Sequence, residues 1–148
     1  MDDIEDIAQV ALDYFEELFN AGLCDKMNEC LKVVPCKVTF DMQNILSSEF
    51  NAEEIRLALF QMDPTKAPGP NGMNALFYQK FWNIVGDSVV SAVLDFLNNG
   101  YVVPGINYTN IVLIPKVKNP ENMIDFRPIS LCNVIYKIIF KVLANRLK

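Results

Sequence analysis

Thr109-Asn110-Ile111-Val112-Leu113-Ile114-Pro115 (109–115) is a β-branched run closed by a proline, and Thr109 to Ile114 reads as a short strand. Lys118-Asn119-Pro120 suits a turn, and Arg127 to Leu131 is the expected partner strand. Asn133 then opens a helix whose apolar positions, Val134, Ile135, Ile138, Ile139, Val142, Leu143 and Leu147, recur at three and four and are expected to face inward. No stop signal closes that helix before Lys148. A hairpin followed by a helix gives this part of the chain α+β character.

Upstream, the pattern is helical. Ile4, Ile7, Ala8, Ala11, Phe15, Leu18 and Phe19 make one apolar stripe, with acids crowding the first turn and Gly22 as the expected stop. Residues 23–48 are weakly patterned and read as a connector with one short helix. At Phe50-Asn51-Ala52-Glu53-Glu54-Ile55, Asn51 can cap, Glu54 can reach back to it, and Phe50 can staple onto Ile55. That helix is expected to run to about Met62 with Ile55, Ala58, Leu59 and Met62 inward, where Pro64 and the loop Thr65 to Gly72 end it. A further helix is expected over Asn74 to Val85, burying Leu76, Phe77, Phe81 and Trp82, and another over Asp87 to Asn98, stopped at Asn99-Gly100. The fold class is therefore a mostly helical α+β fragment with one short β-hairpin.

The chain has 148 residues, 51% of them hydrophobic and 21% charged, which excludes a disordered tail or a coiled coil. The net charge of −5 hides a gradient: residues 1–63 carry 14 acids and 4 bases, whereas residues 111–148 carry 7 bases and 2 acids. A phosphate-binding surface is therefore plausible only in the last quarter. No apolar run reaches the ~18 residues needed to span a bilayer. The acidic N-terminus is the reverse of a signal or transit peptide, so a soluble intracellular location, nuclear or cytoplasmic, is expected. Cysteines 24, 30, 36 and 132 match no zinc-ligand spacing and the chain has no histidine, so no metal site is expected and the thiols read as reduced.

Two stretches carry a resemblance. One is Met62-Asp63-Pro64-Thr65-Lys66-Ala67-Pro68-Gly69-Pro70-Asn71-Gly72-Met73 with Phe77-Tyr78-Gln79-Lys80-Phe81-Trp82. The other is Ile111-Val112-Leu113-Ile114-Pro115-Lys116, then Asp125-Phe126-Arg127-Pro128-Ile129-Ser130-Leu131-Cys132-Asn133-Val134-Ile135-Tyr136-Lys137-Ile138, closing on Lys141 to Leu147. In order and spacing they are similar to the opening motifs of LINE-type (non-LTR) retrotransposon reverse transcriptases, as found in plant genomes. Tyr14 to Phe19 and Phe50 to Met62 also resemble the segment ahead of that domain. The resemblance implies an N-terminal helix and connector (1–48), a helical segment with the Lys-Ala-Pro-Gly-Pro loop (49–108), and the start of the fingers region (109–148).

The resemblance also implies a division of labour. Such enzymes extend DNA on an RNA template by two-metal phosphoryl transfer, with carboxylates holding Mg²⁺. Those carboxylates lie downstream in the family, and no Tyr-x-Asp-Asp turn occurs here. Asp2-Asp3 is better explained as an acidic helix start. No catalytic residue is assigned, and this chain alone is expected not to polymerise. The matching positions for contact with an incoming deoxynucleoside triphosphate are Lys116 and Arg127, a point charge and a bidentate grip on anionic oxygens. The alternative for both is a solvated cation on an exposed hairpin.

Lys66 and Gly69 resemble a segment near the template strand, where a rigid Pro/Gly loop brings backbone N–H groups close to phosphates. An ordinary helix–helix turn is the alternative, and the loop is not a Walker P-loop. Lys137 and Lys141, with Arg146 and Lys148, give the last helix a basic side, suited either to phosphate or to solvent. The aromatics Phe77, Phe81, Trp82 and Phe96 read as core rather than as stacking platforms. Two residues depart from the family pattern: Asn71 stands where an aspartate is usual, and Phe140 where the family tends to a small polar residue. The implied partners are template RNA, DNA primer, triphosphate and the missing palm subdomain, with no membrane. The rival reading is a non-enzymatic, transposon-derived small helical protein that is inactive or has a binding role.

Overall fold

Asn51 fixes where the central helix begins. Its side chain accepts from the amides of Glu53 and Glu54, both at 3.1 Å, and the Glu54 carboxylate accepts from the Asn51 amide at 3.0 Å. This is the reciprocal box read in the sequence, and it starts a helix over Ala52–Phe60. Its end is closed by the Met62 amide, which donates to the Leu59 carbonyl at 3.0 Å, and by a side chain from further along the chain. Gln79 donates to the carbonyls of Leu59 (2.9 Å) and Met62 (3.0 Å).

A computed structural model describes residues 4–22, 27–33, 35 and 37–148. The helices are α1 (Ile4–Phe19), α2 (Met27–Val33), α3 (Phe40–Ser47), α4 (Ala52–Phe60), α5 (Ala75–Lys80), α6 (Trp82–Asn99) and α7 (Val134–Arg146), with strands β1 (Thr109–Pro115) and β2 (Phe126–Cys132) between α6 and α7. The architecture is mixed α+β and mostly helical, with one two-stranded sheet. Cys24, Cys36 and the Asp2-Asp3 pair lie outside the described residues; Cys30 is exposed and Cys132 half-buried, both as free thiols.

Several boundaries differ from the sequence reading. The connector holds two short helices, α2 and α3, rather than one. α1 closes before Gly22, with the Asn20 amide donating to the Glu16 carbonyl at 3.1 Å. The expected break near Gly86 falls instead at Phe81, and α6 runs through Gly86 without interruption. The reason is steric: the Trp82 indole lies over Gly86, where a Cβ would meet its Cε2 at 2.9 Å. Gly86 is thus a seat for the ring one turn earlier, not a stop. The stop at Gly100 is as expected, with φ of 70° and the Tyr101 amide donating to Asp95 at 3.1 Å.

The chain divides into two compact units, Thr39–Leu113 with Pro128–Lys148, and the segment up to Val38 with Ile114–Arg127. The core of the larger unit comes from Ile55, Ala58 and Leu59 of α4, Ala75 and Tyr78 of α5, Val89 and Val93 of α6, and Val134, Ile138, Ile139 and Val142 of α7. Each fully buried aliphatic side chain among them contributes roughly 2 kcal/mol. Phe77, Trp82 and Phe96 pack against this core, as expected of them. Leu76, Phe81 and Leu147, expected inside, are exposed. Leu76 yields its place to Tyr78 once α5 starts at Ala75, and Leu147 falls beyond the end of α7.

Candidate nucleic-acid interface

Gly69 brings the Lys66–Gly72 loop onto the start of α7. A Cβ there would lie 2.4 Å from the Asn133 nitrogen and 2.5 Å from the Cys132 carbonyl carbon, so only glycine fits. Asn133, 7% exposed, secures the approach. Its carboxamide oxygen accepts from the Asn71 amide (3.3 Å), and its nitrogen donates to the carbonyls of Gly105 (3.4 Å) and Ile106 (3.3 Å). It opens α7 without a side-chain cap because its side chain is spent on these two loops. One turn on, the Lys137 ammonium donates to the Ala67 carbonyl at 3.1 Å. Asn71 turns inward, donating to the Tyr78 hydroxyl at 3.4 Å and accepting from the Met73 amide at 3.1 Å. Asn71 therefore serves the loop's own fold. Gly69→Ala is expected to cost about 2 kcal/mol, since rigid backbone must shift to admit a methyl group, and a thermal melt reads it.

Between this loop and α7 lies a groove of about 470 Å³. Lys66 lines it from the loop, and Tyr136, Lys137, Phe140, Lys141 and Ala144 line it from α7. Tyr136, Phe140 and Ala144 recur at four, as do Lys137 and Lys141, on a face away from the buried Ile138 and Val142, and the buried Val134 closes the groove at the start of the helix. Three of the four residues expected at nucleic acid, Lys66, Lys137 and Lys141, thus share one concavity. The fourth, Gly69, is buried beneath it, where it sets the position of the loop. Asp63 is the one acid in the lining. Its carboxylate is occupied by Thr65, accepting from the amide (2.9 Å) and hydroxyl (2.8 Å), and these bonds hold its pKa below the usual carboxylate value. Lys66 and Lys141 form no ion pair with a described residue.

Lys116 and Arg127 belong to the smaller unit, at the tip of the hairpin. The Lys116 amide donates to the Asp125 carbonyl at 2.7 Å, which sets Lys116 opposite Asp125. Lys116 follows directly on β1, and Arg127 is the second residue of β2. The Asp125 carboxylate accepts from the amides of Glu121 (3.2 Å) and Asn122 (3.1 Å), which closes the turn ahead of β2. The Lys116 ammonium donates to the Ile124 carbonyl at 2.7 Å, while Arg127 is exposed. Among the described residues no three Asp, Glu, Cys or His side chains converge.

Arg146 corrects the picture of a uniformly basic helix side. Its side chain is only 7% exposed, and it grips Glu54 through Nε (2.7 Å) and Nη2 (2.9 Å). It also donates to the carbonyls of Ser48 and Glu49 and lies 3.6 Å from the Phe50 ring centroid. The signal was present in the sequence. Arg146 continues the inward row Ile139–Val142 by one turn, whereas Lys137 and Lys141 follow a different row.

No described helix is long and apolar enough to cross a membrane. No protein-family model matches the chain. Over 153 aligned residues, covering all of this chain, it is 26% identical to the "Transposon TX1 uncharacterized 149 kDa protein" of Xenopus laevis. The chain spans 11% of that protein's length. That similarity supports a transposon-derived origin.

Proposed function

We propose that this chain is part of an RNA-directed DNA polymerase of a LINE-type retrotransposon, of the kind found in plants. Its role is to contribute template and nucleotide contacts while the catalytic carboxylates and their Mg²⁺ come from elsewhere in the enzyme. The observation that carries this reading is the groove in which Lys66, Lys137 and Lys141 meet on a chain whose net charge is −5. An acidic protein that gathers three lysines around one concavity has a local site for a polyanion. Template RNA is the polyanion that the motif resemblance and the transposon-like relative suggest. Gly69 serves this site by positioning, since it lets the Lys66 loop close onto α7.

In the same reading Lys116 and Arg127 face the triphosphate. Arg127 offers a planar, bidentate donor with no carboxylate paired to it among the described residues, and Lys116 exchanges its Ile124 carbonyl for a phosphate oxygen. In a longer polypeptide that carries the whole polymerase, Arg127→Ala is expected to raise the KM for nucleotide about tenfold and to leave the Kd for template RNA unchanged. Steady-state primer extension and RNA titration check the two values. Equal losses in both would remove the nucleotide role from Arg127.

A further inference from the structure

Two rows run side by side along the groove face of α7. Tyr136 and Phe140 form an aromatic row, their rings 4.6 Å apart between centroids and tilted by 45°. Lys137 and Lys141 form a cationic row one position further on, with Lys66 across the groove. Phe140 is 49% exposed, so it is not needed to fill the core that the other face of α7 supplies.

We propose that Phe140, supported by the tilted Tyr136 ring, is a stacking subsite for an unpaired base of single-stranded nucleic acid whose phosphates lie along Lys137 and Lys141. This rests on the template reading above and refines it. Lysines alone would accept a duplex and a single strand alike, because phosphates carry both. An aromatic ring beside them selects the strand whose bases are free to stack, and it does so without preference for sequence. Charge complementarity names the occupant: three lysines, Lys66, Lys137 and Lys141, outweigh Asp63, the one acid in the lining, and favour a polyanion.

The test uses the 148-residue chain and fluorescein-labelled RNA 12-mers in three forms: single-stranded, abasic and annealed to a complement. Wild type is expected to bind the single strand roughly tenfold more tightly than either the abasic strand or the duplex. Phe140→Leu is expected to lose that advantage, with the salt slope unchanged, because the lysines still meet the phosphates. Phe140→Trp should restore it, which separates stacking from a loss of fold. If Phe140→Leu binds single strand as wild type does, the stacking subsite is wrong while the lysine groove stands. If wild type shows no salt-dependent RNA binding, the template reading fails and the subsite with it.

Discussion

Arg146→Ala is expected to destabilise the larger unit by about 2–3 kcal/mol, because a buried guanidinium bonded to a half-buried carboxylate is lost. Three effects act together. Glu54, 27% exposed, keeps its charge but loses a bidentate cation. The carbonyls of Ser48 and Glu49 lose a donor at the junction of α3 and α4. Phe50 loses the guanidinium over its ring. Arg146 also ties residues about a hundred positions apart in sequence, so its loss loosens a tertiary closure rather than one helix end. The melting temperature should fall by about 10 °C or more. The pH dependence follows from the same pair. The Arg146 hydrogen bonds, with help from the Asn51 amide, hold the Glu54 pKa below its ordinary value against the opposing effect of burial. A carboxyl lowered in the folded state contributes stability that is present above its unfolded pKa and is lost as pH falls through the folded value. Thermal melts from neutral to acidic pH should therefore show a decline that Glu54→Gln flattens.

Replacing Lys66, Lys137 and Lys141 together by glutamine is expected to weaken RNA binding about a hundredfold near ~0.1 M salt. Three phosphate contacts to a single strand release counterions with a slope of about −2 in log K against log salt, which is roughly two log units of affinity at that concentration. The slope should drop toward zero in the triple variant. Lys137 also donates to the Ala67 carbonyl, so glutamine, which keeps a donor there, is a better choice than glutamate. An unchanged slope would mean that RNA is held by other cations, and an unchanged melting temperature would show that the loop survives.

Much of this architecture was legible where local chemistry decides the outcome. The Asn51–Glu54 box, the Gly100 stop and the strand Thr109 to Pro115 depend on neighbours within one or two turns, and the sequence displays those neighbours. Gly86 misled because glycine as a stop and glycine as a seat for an aromatic ring look alike until Trp82 is seen above it. Leu147 was misplaced because periodicity does not say where a helix frays. The interface was readable as residue types but not as a place. Lys66 and Lys137 are brought together by Gly69 packing against Asn133, a contact between backbones that no pattern of side chains announces. Arg146 was grouped with Lys137 and Lys141 by charge, although its row on the helix is the buried one.

In the proposed function, the groove between the Lys66 loop and α7 receives the RNA strand. Photocrosslinking of the 148-residue chain to single-stranded RNA carrying 4-thiouridine, with peptide mapping by mass spectrometry, tests it most directly. Crosslinks concentrated on the peptides that carry Lys66 and Tyr136 to Lys141, competed away by unlabelled single strand, are the expected result. Crosslinks confined to other segments, or spread evenly along the chain, would contradict it.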